Sequence, residues 1–175
     1  HNYLMPTGSL MLLRQFIGEA TSMSRLASDS YDFVLSCHML EHTANPLRAL
    51  TEWKRLLKPH GVLLIVLPDP IHTFDHLRPI TSLSHLIADF ETGTTEDDLT
   101  HLAEILQLHD FQRDPYADDR ESFKFRGMRN LDNRCLHHHV FNERLAIDIV
   151  EHVGLKVQVI EKIAPHHIAW IAQKI

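Results

Sequence analysis

Six glycines in 175 residues are few, and no two of them stand two positions apart. A loop that cradles a nucleotide needs paired glycines between a strand and a helix, so that the backbone can close on the ligand. The G-x-G forms of that loop are excluded. Cys37 and Cys135 are too few for a disulfide framework. Both are read as reduced thiols, which points to the cytoplasm. No apolar run nears the roughly 18 residues of a membrane span. Residues 10–13 are apolar but lack the basic flank and cleavage site of a secretory leader. Basic charge is also scarce: 17 Lys and Arg face 23 Asp and Glu, a net charge of −6. Such a surface is unsuited to nucleic acid or an anionic membrane, so neither is expected as a partner.

Histidine, by contrast, is abundant, at 15 of 175. The length suits a single domain over 1–175 with a real core. A chain opening on His1 and not on Met is expected to be part of a longer one.

The pattern alternates strands and helices, the mark of an α/β fold. Residues 10–17 are apolar and fit either a strand or a short helix. Residues 31–36 read as a buried strand. Asn45 and Pro46 open a helix as N-cap and first residue, and Leu47, Leu50, Trp53 and Leu57 follow at helical spacing. Lys58-Pro59 stops it. Residues 62–67 are apolar without alternation, which predicts a strand buried on both faces. The spacing predicts helices over 83–90, 97–108 and 142–153, the last ending on Gly154. Residues 110–133 are polar and aperiodic and are expected to be irregular. Thus 69–135 reads as a helical and irregular insertion. Residues 155–163 and 167–174 form a closing antiparallel hairpin around Pro165.

One block is more specific than the rest. It runs Tyr31-Asp32-Phe33-Val34-Leu35-Ser36-Cys37-His38-Met39-Leu40-Glu41-His42, then Asn45-Pro46, then Leu57-Lys58-Pro59-His60-Gly61, then Leu67-Pro68. It resembles the middle of a class I S-adenosylmethionine (SAM) dependent methyltransferase of type 11. The resemblance covers about residues 16–70 and, more loosely, 137–175. It implies a Rossmann-like three-layer sandwich holding the family's strands four, five, seven and six, the seventh antiparallel. It implies SAM as cofactor and methyl transfer to a small-molecule acceptor. Glu19 and Ala20 match the family's adenine-side turn, at the end of its third strand. Ser36, Cys37 and His38 match the turn that lines the methionine. The family's glycine turn after strand one has no counterpart, so the cofactor half is truncated and weak or no SAM binding is expected of these 175 residues. His60 stands where the family has glycine and is expected to take a left-handed backbone.

The acceptor side falls on the loop His72-Thr73-Phe74-Asp75-His76-Leu77-Arg78-Pro79, after the fifth strand of the family. His72 or His76 could serve as general base. Asp75 and Arg78 could bind the acceptor, Arg78 through an anionic group, or could simply pair with each other. All are expected at the carboxyl edge of the sheet, near His38–His42. Two metal patterns compete. His38-x-x-Glu41-His42 fits an inverted zincin motif, but on a strand exit and not on a helix. His137 and His139 would share a face of an extended segment and could join His72 or His76. The favoured accounts are a helix-entry capping element for Leu40-Glu41-His42, one buried, hydrogen-bonded histidine with two exposed for 137–139, and a structural role for His166-His167, so no metal is assigned. A fragment that has lost the cofactor and serves as an interaction partner is the other alternative. The strand at 31–36 would then be a bare apolar edge, which predicts a homodimer.

Overall fold

The chain is described by a computed structural model covering residues 2–4, 10–12, 16–117 and 119–175. Its strands are β1 (Asn2–Leu4), β2 (Leu10–Leu12), β3 (Tyr31–Cys37), β4 (Leu57–Pro68), β5 (Leu155–Ile163) and β6 (His167–Lys174). Its helices are α1 (Pro46–Leu56), α2 (Leu83–Thr92), α3 (Leu102–Leu108), α4 (Arg120–Gly127), α5 (Asn130–Asn133) and α6 (Glu143–His152).

Four strands form one sheet in the order β3-β4-β6-β5. β3 and β4 are parallel; β6 runs antiparallel to both β4 and β5. This is the predicted order of the family's strands four, five, seven and six. β1 and β2 pair only with each other, as a separate antiparallel ribbon. Of the predicted 10–17 element, residues 10–12 are strand, 13–15 lie outside the described residues, and 16–17 are irregular.

α1 begins as the sequence predicts. Asn45 Oδ1 accepts from the Arg48 N–H at 3.1 Å, and proline takes an opening position where no N–H is needed. Leu47, Leu50, Trp53 and Leu57 are at most 1% exposed. Each contributes about 1.5–3 kcal/mol of transfer free energy. They meet Leu63, Ile65 and Leu67 of β4, Leu86 of α2, and Leu145, Ile149 and Val150 of α6. His60 does take the left-handed backbone, at φ 64°. Gly61 must stay small, because a Cβ there would lie 2.9 Å from the Lys58 carbonyl oxygen.

Several expectations need correction. Only alternate residues of β4 are fully buried; Val62, Leu64 and Val66 are half-buried. They share their face with Phe33 and Leu35, which pair with Val62 and Leu64 and are 67% and 58% exposed. The helices packed on the main core, α1, α2 and α6, cover the opposite face. Strand apolarity reports what a face can bury, not whether a helix is there to cover it.

The 97–108 helix starts only at Leu102. Before it, Asp98 Oδ1 accepts from the Thr100 N–H at 3.3 Å, a local bond that competes with helix. Residues 110–133 are more regular than expected. Asp119 caps α4, accepting from the N–H groups of Glu121 and Ser122 at 2.8 and 2.9 Å. Phe123 then joins Ile105 and Leu136 in a second small core.

Asn45 also ties α1 to the chain beyond α2. Its Nδ2 donates to the carbonyls of Asp89 at 2.9 Å and Thr94 at 3.4 Å, and the residue is 1% exposed. Asn45→Ala is expected to lose about 2–3 kcal/mol in urea unfolding, a cap plus unpaired buried carbonyls. Asn45→Ser should recover about 1 kcal/mol, the cap alone. Equal losses for both would show that the cap contributes nothing, and wild-type stability in Asn45→Ser would show that the cross-links do not.

Candidate active site at the carboxyl edge of the sheet

β3 ends in a tight turn. His38 has φ 47°, and its N–H donates to the Val66 carbonyl at 2.9 Å. Its ring reaches the head of β6, with Nε2 2.8 Å from His167 Nδ1. Nδ1 lies 3.5 Å from Glu41 Oε1. The close Glu41 carboxylate raises the His38 pKa, against partial burial. Glu41 is 1% exposed, and neither carboxylate oxygen has a hydrogen-bond partner. The buried Ser36 hydroxyl is likewise unpartnered, and Cys37 is a free, exposed thiol. His38 and His42 do not share a helix face. Leu40–His42 is a single 3-10 turn that His38 precedes, and His42 Nδ1 donates instead to the Leu136 carbonyl at 3.1 Å. Burial, then the nearby His137, lowers the His42 pKa.

The loop after β4 reaches the same edge. Asp75 Oδ2 accepts from His137 Nδ1 at 2.6 Å, and the His137 and His42 rings meet edge-on at 4.5 Å between centroids. Arg78 is buried beside them. It donates to Asp75 Oδ1 at 2.9 Å, the His137 carbonyl at 2.8 Å, the His138 carbonyl at 3.2 Å and Glu104 Oε1 at 3.0 Å. Most of its N–H donors are thus met by this chain's own acceptors. Burial works to raise the Asp75 carboxyl, but His137 and then Arg78 outweigh it and hold its pKa below the ordinary range.

His76 Nε2 pairs with Asp110 Oδ2 at 2.9 Å. His72 closes the short 3-10 turn Pro70–His72 and is exposed. Neither joins His137 and His139 in a three-histidine group. The 137–139 run is split: His137 goes to Asp75, His138 to Asn130 at 2.9 Å, and His139 to the Ala44 carbonyl at 3.2 Å. Glu19 and Ala20 do not end a strand. They enter a turn closed by Ser22 N–H on the Glu19 carbonyl, and the Glu19 carboxylate pairs with Arg134 at 2.7 Å.

A cavity of about 300 Å³ opens on His42, Asp75 and His137, with Phe74, His109 and Phe123 among its walls. Phe74 stacks on His109 at 4.6 Å and tilts against His137 at 4.8 Å. The cavity is therefore aromatic, with two acid–base pairs in its walls, Asp75–His137 at 2.6 Å and the more deeply buried Asp114–His109 at 3.0 Å. Another hollow, of about 270 Å³ under residues 16–26, has Arg25 as its one ionisable lining side chain and offers no comparable acid–base pair. Sequence reading did not place His109 here, and it brought His137 to this loop only as a possible metal ligand beside His72 or His76, not as the partner of Asp75. Their signal was weak, since neither stands in a motif that names its partner.

Comparison with known proteins bears on the fold. The family model described as a methyltransferase domain matches residues 7–65. The solved structure of a SAM-dependent methyltransferase from Aquifex aeolicus is similar, with TM-score 0.50 and 14% identity, over 93% of this chain and 55% of that one. So is a SAM-dependent methyltransferase from Mesorhizobium loti, with TM-score 0.51 and 14% identity, over 89% of this chain and 67% of that one. No protein of curated function matches the sequence. The fold is shared with SAM-dependent methyltransferases of known structure, and residues 7–65 match the model of a methyltransferase domain. The chain spans about half the length of the Aquifex protein.

The buried pair sets the acid stability of this edge. Asp75 has a depressed folded pKa, so its contribution is present above its unfolded pKa of about 3.9 and is lost as pH falls below it. Arg78→Ala is expected to cost about 3–5 kcal/mol, because it strands a buried carboxylate. Its penalty should shrink below about pH 4, where that carboxylate protonates. Urea melts across pH check both; a pH-independent penalty would contradict the assignment.

Proposed function

We propose that this chain forms the acceptor side of a SAM-dependent methyltransferase acting on a small-molecule nucleophile. The observation that carries the reading is the 2.6 Å Asp75–His137 pair on the rim of an aromatic cavity, close to the turn after β3. Carboxylate contact at Nδ1 fixes the proton there and leaves Nε2 of a neutral ring as a base. His137 is favoured over His72, which is exposed, and His76, whose Nε2 is taken by Asp110. Asp75 orients His137. Arg78 holds Asp75 and the 137–138 backbone, and so acts as a positioning residue.

The fit to SAM is partial. The buried, unpartnered Ser36 hydroxyl and the turn through Cys37 and His38 could hold its methionine flank. Glu19 and Ala20 remain the candidates for its adenine side. The glycine turn has no counterpart in this sequence. SAM would supply an electrophilic methyl group. His137 would take the proton released by an attacking hydroxyl or amine, leaving a methylated acceptor and S-adenosylhomocysteine. Among the described residues no helix is long and apolar enough to cross a membrane. Two free thiols suit a reducing compartment, and we assign the cytoplasm.

Calorimetry with SAM tests the partial fit. No micromolar affinity is expected for residues 1–175, because one flank of contacts must offset the lost freedom of the ligand. A micromolar constant would overturn this. In a preparation that turns over, His137→Gln should lower kcat by about 10²–10⁴-fold with SAM affinity unchanged. The same loss in His72→Gln, with His137→Gln active, would move the base to the loop.

The homodimer belongs to the same reading. β3 is an edge strand with Phe33 and Leu35 outward, and such edges recruit a strand. Pairing across β3 would close a two-fold dimer. Light scattering at tens of micromolar should give twice the chain mass, and Phe33→Lys with Leu35→Glu should give the monomer. A monomeric wild type would remove the dimer and leave the chemistry standing.

A further inference from the structure

A second side-chain cluster lies outside the cavity and outside the methyl-transfer reading. His85 and Asp89 stand one turn apart on α2. His101 precedes α3, and His139 lies on the extended segment before α6. One ring nitrogen from each histidine lies within 4.8 Å of the other two. His85 Nε2 is 3.0 Å from His101 Nε2 and 3.3 Å from Asp89 Oδ2, and His139 Nε2 is 3.7 Å from that same oxygen. Ligands of a tetrahedral zinc ion, at bonds of about 2.0–2.1 Å, stand about 3.3–3.4 Å from one another. The three measured separations straddle that value. The rings also stand steeply to one another: 81° for His85 and His101, 75° for His101 and His139, 61° for His85 and His139.

Hydrogen bonding alone accounts poorly for this arrangement. Two imidazole nitrogens at 3.0 Å can share only one proton. Asp89 Oδ2 is buried with no hydrogen-bond partner, and so is His139 Nδ1. The other Asp89 oxygen is held by the Thr94 hydroxyl at 3.1 Å, which orients the carboxylate as an outer-shell partner does. His85 is 41% exposed at its side chain and gives an ion a way in.

We propose that His85, His101 and His139 hold a divalent metal of zinc's class, with Asp89 Oδ2, now 3.3 Å from His85 and 3.7 Å from His139, drawn in as the fourth ligand. His139 would exchange its bond to the Ala44 carbonyl for the ion. Three nitrogens and one carboxylate oxygen make a donor set suited to zinc and poorly suited to magnesium or calcium. With four protein ligands the site is closed, so its role is structural. It would pin α2, the 93–101 loop and the 136–140 segment to one point. This does not depend on the methyltransferase reading.

The test uses the full chain without a histidine tag, stripped with chelator and titrated with zinc chloride against a chromogenic competitor. One equivalent of tight zinc and a higher Tm are expected. Cobalt in its place should give the intense visible bands of a tetrahedral site. His85→Ala, at the exposed corner, should weaken zinc by at least about 100-fold while the metal-free Tm stays unchanged. Asp89→Asn should weaken it less. His137→Ala should leave it unchanged. Failure to bind one equivalent would overturn the proposal. So would wild-type affinity in both His85→Ala and His101→Ala. Loss in His137→Ala with retention in His85→Ala would move the ion to Glu41, His42 and His137 and overturn this assignment too.

Discussion

Arg78 is the side chain on which the carboxyl edge depends. It joins the loop after β4 through Asp75, the segment before α6 through the carbonyls of His137 and His138, and α3 through Glu104. A buried cation is costly unless every nearby acceptor is turned toward it. Here the acceptors come from three stretches far apart in sequence, so the ion pair can form only when all three are in place. The loop, the insertion and the 137–139 run are therefore ordered together. Without Arg78 the buried Asp75 charge would rest on His137 alone, and the Asp75–His137 pair would lose the contact that fixes it in the cavity wall.

Much of the sheet was legible because its signals are local. Asn45-Pro46 states a helix start, Gly154 states a helix end, and residues 62–67 state a strand. The order β3-β4-β6-β5 was legible for a different reason, the resemblance carried by residues 31–68. The site was legible only in outline. The 69–79 loop was expected at the carboxyl edge, and it is there. Which of its groups meets which partner was not legible. His137 lies 62 positions from Asp75, and His109 lies 35 from Phe74. No period or spacing rule spans such distances. Histidine adds its own difficulty, since it serves equally as core packing, hydrogen-bond partner, base and ligand.

The same limit explains the errors in the insertion. Residues 110–133 have no apolar period long enough to announce a helix, yet α4 forms. A capping aspartate supplies its first bonds, and one face needs only Phe123 to dock on Ile105 and Leu136. A short helix of this kind owes its stability to packing and not to propensity. In the opposite direction, the threonines and acids at 94–98 read as a helix opening, but Thr95, Asp98 and Thr100 satisfy their own backbone first.

The sheet is unequal in its two faces, and this bears on both halves of the chemistry. The face under α1, α2 and α6 is closed, and from it rise the insertion, the aromatic cavity and the histidine cluster. The other face carries Phe33, Leu35 and the half-buried side of β4. In a doubly wound sheet, ligand contacts come from turns at the carboxyl ends of neighbouring strands. β3 has such a neighbour on one side only. In the proposed reading its turn, with Ser36 and His38, offers a donor molecule one wall, and a strand paired with its free edge would supply the other. Covering that edge and completing the proposed cofactor site would then be one structural event.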